Sequence, residues 1–169
     1  ETLVLLALLA AATIRGAAPL VLAALGGLFA ERSGVVDIGL EGKMLASAFA
    51  AAATAGVTGS AWLGLAAGIA AAIALALVHG LASVTYHGNQ VVSGMALNIL
   101  MSGLTVVLGY AWFQQGGQTP LLADSARFGP IVLPGAAILA RIPVLGLVYD
   151  EIVSGHNVLV YMAAVAVPV

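Results

Sequence analysis

The sequence predicts an all-α, polytopic membrane fold, and three observations carry that reading. Of the 169 residues, 62% are apolar and only 7% are Asp, Glu, Lys or Arg, whereas a soluble domain carries about 25% charged residues. Several apolar runs approach the roughly 20 residues that a helix needs to cross a hydrocarbon core about 30 Å thick. Trp62, Tyr86 and Trp112 stand at the ends of such runs, as aromatic residues do at membrane–water interfaces. A net charge of -2 excludes the basic surface that nucleic acid needs. With no cysteine there is no disulfide framework. The chain begins at Glu1 and stops at Val169 inside an apolar run, which reads as a fragment holding four to five membrane segments, one of them a broken helix.

The first apolar stretch, 2–30, is divided in sequence by Arg15, Gly16 and Pro19. A cation at the centre of a spanning helix costs about 2.5–3.5 kcal/mol on insertion scales. The expectation is a short interfacial helix up to Ile14, Arg15 at headgroup level, and a membrane helix from Ala17 onward. Next comes 31–43, ERSGVVDIGLEGK, which holds five of the twelve charges together with Gly34, Gly39 and Gly42. The flanking runs, 17–30 and 44–56, are each too short to span at about 1.5 Å per residue. Part of the interruption is therefore expected at membrane depth, where irregular backbone must be surrounded by protein or water.

After a turn at Thr58, Gly59 and Ser60, residues 61–86 form the clearest span. Gly64 and Gly68 give it a GxxxG face suited to close helix packing. His79, near its end, reads as a helix-end residue at the interface. His87 to Gln90 makes a tight reversal, and 91–113 is the next span. Residues 114–157 are of another kind, with Gly116, Gly117 and prolines at 120, 130, 134 and 143. Proline at that density interrupts helices, so a large exposed loop is expected, with a short interfacial piece at 138–141. A fifth span starts at Val158.

Enzymatic chemistry finds no support in the sequence. The three histidines lack the one-turn spacing of a zinc protease helix, so no metal centre is expected. Gly42-Lys43 has Asp37 where a phosphate-binding loop needs glycine and Met44 where it needs Ser or Thr. No G-x-G-x-x-G occurs and no cofactor is implied. Two polar constellations remain. Asp37 and Glu41 lie four residues apart, with Arg32 and Lys43 nearby, in a segment that breaks a membrane helix. Such breaks expose backbone groups that bind substrates or ions in transporters; alternatively the charges form an internal ion pair or lie in water. The second is a stripe of Gln90, Gly94, Asn98, Ser102 and Thr105, spaced by four, four, four and three, which shares one helix face. That face either lines a conduit or hydrogen-bonds a neighbour.

Two stretches resemble a known family. PLVLAALGGLFAERSGVVDIGLEGKMLASAFAAA and GNQVVSGMALNILMSGLT are similar to the permease subunits of bacterial ABC importers for nucleosides and simple sugars, a branch of the branched-chain amino acid and ribose permease family. The Pro-rich loop, with RIPVLGLV, is similar to that branch as well. The resemblance covers nearly the whole chain and implies that 1–169 is the amino-terminal part of one permease domain, with 114–157 an external loop and 31–43 toward the cytoplasmic side. It implies half of a translocation pathway without bond-making chemistry of its own. The implied partners are a second permease subunit, two cytoplasmic ATP-binding subunits and an external substrate-binding lipoprotein, in the bacterial plasma membrane. The helix that couples to the ATPase would follow beyond Val169. Motif residues Asp37, Gly39, Glu41, Gly42, Asn89, Gln90 and Gly94 become pathway or structural candidates beside Asn98 and Ser102. Asp37 stands where the family pattern usually has Asn. The alternative is an ion-coupled transporter or channel using Asp37 and Glu41.

Overall fold

A computed structural model describes residues 2–131, 149 and 154–167. Its helices are α1 (Thr2–Arg32), α2 (Leu40–Thr58), α3 (Ala61–Gly80), α4 (Gln90–Phe113) and α5 (Val158–Ala166). Three segments, Val4–Arg32, Ala61–Thr85 and Gln90–Phe113, are long and apolar enough to cross a membrane. Their large apolar side chains point outward, with Leu9, Ile99 and Val107 more than 60% exposed, as expected where hydrocarbon takes the place of a protein core. Among the described residues the strand structure is confined to one antiparallel bridge, Ile131 to His156.

Residues 1–25 and 128–169 form one compact unit and 26–127 a second. In the first, Ala18 of α1 packs with Val160 and Ala163 of α5, joined by Ile14. Asn157 caps α5, its side chain accepting from the Val160 N–H at 3.1 Å. The expected 138–141 helix lies outside the described residues.

α1 corrects the expectation of a break at Arg15, Gly16 and Pro19, because it runs through all three without interruption. Proline removes one backbone hydrogen bond, but without water a broken helix would expose several more groups, so continuity costs less. Arg15 is exposed on the side of this continuous helix. The interruption that follows is shorter than 31–43. α1 extends to Arg32 and α2 already begins at Leu40, which leaves 33–39 irregular.

In the second unit α2 and α3 form a tight hairpin. Gly59 at φ 68° ends α2, its N–H donating to Ala55 O at 2.8 Å, and Ser60 caps α3. Gly64 and Gly68 face α2. A Cβ on Gly64 would lie 2.7 Å from Ala51 O, and one on Gly68 3.0 Å from Ser47 O. α3 continues into a π-helical turn, Leu81–Thr85. The chain then reverses through His87 at φ 51°, and Asn89 Oδ1 accepts from the N–H groups of Val91 and Val92 to start α4.

Candidate functional site

The irregular segment 33–39 is fixed at both ends by its own sequence. Gly34, at φ 87°, closes α1: Val35 N–H donates to Ala30 O and Gly34 N–H to Glu31 O, each at 3.0 Å. That pair of bonds satisfies the last carbonyls of the helix and requires the left-handed conformation that glycine adopts freely. At the other end Asp37 Oδ1 accepts from Gly39 N–H at 3.1 Å. The other carboxylate oxygen of Asp37 pairs with the ammonium of Lys43. Lys43 is 8% exposed, and a charge so enclosed requires such a partner.

Between these ends the backbone of the segment is held by side chains from two other helices. Val36 N–H donates to Gln90 Oε1 at 2.6 Å. Asn98 bridges two points: its Oδ1 accepts from Gly42 N–H at 2.7 Å and its Nδ2 donates to Ile38 O at 3.0 Å. Only one orientation of the amide serves both. Glycine makes this approach possible. A Cβ on Gly94 would lie 2.8 Å from Gly39 N, and one on Gly42 2.8 Å from Leu97 O and 2.9 Å from Asn98 Cα. Gly39 itself faces Gly94 Cα, 3.3 Å from where its Cβ would stand.

The third support is His79, which sequence reasoning placed at the interface. It is 2% exposed, with Nδ1 3.0 Å from Ser93 Oγ and Nε2 3.3 Å from Val36 O. Nε2 also lies 3.9 Å from Asp37 Oδ1. His79 therefore ties α3 to both the segment and α4. The signal was present: a single titratable side chain inside an otherwise apolar span, which by default has a function there.

The structure thus brings Asp37, Gly39, Gly42, Gln90, Gly94 and Asn98 together, and leaves Asn89 as the cap of α4. Glu41 and Ser102 lie elsewhere. With Gly42, Leu45, Asn98 and Ile99 they line a cavity of about 200 Å³. A larger one, about 390 Å³, adjoins it and shares Leu45 and Ser102; Phe49, Thr105, Gln118 and Thr119 line it too. The hydroxyls of Ser102 and Thr105 donate to their own helix, at Ile99 O and Met101 O. The ring of Phe49 stacks on Trp112 with centroids 5.8 Å apart.

An irregular polar segment is thus clamped against the first half of an apolar helix of membrane-spanning length. The chain belongs to the family described as branched-chain amino acid transport system / permease component, whose pattern matches residues 9–167. It is 38% identical over 151 residues to a guanosine ABC transporter permease protein of Bacillus subtilis, covering 86% of this chain and 46% of that one. Over 158 residues it is 37% identical to a Haloferax volcanii protein provisionally named a glucose ABC transporter permease protein, covering 94% and 45%. A nucleoside ABC transporter permease protein of Lactococcus lactis is 32% identical over 137 residues, covering 78% and 41%. The chain spans less than half the length of these relatives. No solved structure matches it significantly. It is a multi-pass membrane protein, and its relatives are transport subunits rather than enzymes.

Proposed function

We propose that this chain is part of the permease subunit of an ABC importer for a nucleoside or simple sugar, a subunit that forms half of the translocation pathway. The observation that carries the reading is the family match over 9–167, which includes both the clamped segment and the helix that clamps it. A second permease subunit completes the pathway, two cytoplasmic ATP-binding subunits drive it, and an external lipoprotein delivers the solute. The assembly sits in the bacterial plasma membrane, with 114–157 outside and 33–39 toward the cytoplasm. Asp37, Lys43, His79, Gln90 and Asn98, with the glycines at 39, 42 and 94, hold the broken stretch of backbone, so that its polar groups are satisfied without water. This leaves Asp37 committed to Lys43, and the same carboxylate is not offered to a transported ion.

The test is reconstitution of the full-length permease with its partners in proteoliposomes. Uptake of guanosine, ribose or glucose should require ATP and survive the collapse of ion gradients. Uptake that follows the gradient while ATP remains, or no uptake of any of them, overturns the reading.

A further inference from the structure

Asp37 and Lys43 neutralise each other, but Glu41, between them in sequence, makes no hydrogen bond or ion pair among the described residues. Its depth follows from its neighbour. Gly42 N–H is bonded to Asn98, and Asn98 lies about 12 Å along an α4 about 36 Å long. With α4 centred in the bilayer, Asn98 stands about 6 Å from the midplane, and Glu41, adjacent to the Gly42 bonded to it, lies near that depth. A carboxylate there does not face lipid; it faces water or protein.

The groove that Glu41 opens onto has a defined chemistry. α2 contributes Glu41, Leu45 and Phe49, and α4 contributes Asn98, Ser102 and Thr105, each set at intervals that share one helix face. Ser102 and Thr105 have donated their protons to Ile99 O and Met101 O, so they present lone pairs to the groove. One amide proton of Asn98 goes to Ile38 O, and the Lys43 ammonium goes to Asp37. The polar lining thus offers several acceptors and includes a full negative charge, while Gln118, Thr119 and the second amide proton of Asn98 bring neutral donors. Among the described residues that line it, an anion finds no cation. A solute with hydroxyl and N–H donors and an apolar face finds acceptors and the side chains of Leu45 and Phe49.

We infer that the α2–α4 groove is the wall of the translocation passage, that it takes a neutral polyhydroxylated solute such as a nucleoside or sugar through the solute's donors, and that Glu41 rejects the phosphorylated form. The inference rests on the permease reading for the solute class, while the charge selectivity of the groove stands on the geometry alone.

The experiment places single cysteines, Ser102→Cys and Thr105→Cys, in the full-length permease within its complete transporter, in a background otherwise free of cysteine. Their rates of modification by cationic and anionic methanethiosulfonates of similar size are compared with those of a free thiol. The cationic reagent should be favoured by about 10-fold or more beyond the free-thiol ratio, and Glu41→Gln should bring the ratio to within about twofold of it. Millimolar guanosine or glucose should slow the modification, and guanosine monophosphate should not. Failure of both reagents at both positions means that another helix or lipid covers the groove, and overturns the proposal. A charge preference that persists in Glu41→Gln overturns the role of Glu41. A preference without protection by either solute overturns the assignment of the ligand. Because labelling needs no turnover, a transporter that labels as expected but imports nothing with ATP would sink the permease reading and leave the groove's selectivity standing.

Discussion

The two halves of the polar face of α4, amides and a glycine toward its start and hydroxyls further on, lie on one helix face and are used in opposite ways. Toward its start, Gln90 and Asn98 turn side-chain bonds to the backbone of 33–42, and Gly94 removes the bulk that would keep that backbone away. One turn further on, Ser102 and Thr105 turn their protons back to their own helix and leave a groove in front of them. A polar stripe on a membrane helix is thus not one feature. Its role is set by whether a second backbone comes close enough to use it, and here glycine decides where that happens.

The sharpest way to break this contrast is to remove one member of the buried pair. Lys43→Met leaves Asp37 uncompensated and should cost about 3–5 kcal/mol, read as a fall in the melting temperature of the detergent-solubilised protein. Asp37→Leu combined with Lys43→Met should recover much of that loss, and a single variant as stable as the parent would show the pair to be solvated. Asn98→Leu comes next, because it leaves Gly42 N–H and Ile38 O without partners at about 1–3 kcal/mol each. Thermal denaturation should separate it clearly from Ser102→Leu, at the same face one turn on. Gly42→Ala pushes a methyl group against backbone that cannot rotate away, and a loss of about 1–3 kcal/mol is expected. Proper folding of Gly42→Ala at full stability would mean that α2 and α4 are not in the register described. At the small end, Ser102→Ala should change stability by no more than about 0.5 kcal/mol, since it deletes only a bond within its own helix. A large loss there would place Ser102 in the clamp rather than at the groove.

Much of this was legible in the sequence, and the failures have physical reasons. The spacing of Gln90, Gly94, Asn98, Ser102 and Thr105 put them on one face, whereas the shortness of the flanking apolar runs holds on one side only, because α1 runs unbroken over Thr2–Arg32 and is long enough to span by itself. Neither could reveal which half of the face meets that segment, because the pairing of Asn98 with Gly42 joins residues 56 apart in the chain. Pro19 was misleading because its cost is judged against water, whereas α1 has no water to offer its carbonyls. His79 does stand in the last turn of α3, as expected, but its burial and its partners could not be read, because Ser93 and the Val36 carbonyl, both from other elements, take its two nitrogens.

The hairpin of α2 and α3 bears on how the protein reaches the membrane at all. α2 has 19 residues but carries Glu41 and Lys43, and it is not among the segments apolar enough to cross unaided. Only Gly59 and Ser60 separate it from α3, and Gly64 and Gly68 let the two backbones touch. Two helices joined so closely partition as one body, so the apolar surplus of α3 carries the deficit of α2 into the bilayer. The polar machinery of the chain is in this sense a passenger of its most apolar membrane-length segment, and damage to the α2–α3 seam would be felt during biogenesis, before any solute is transported.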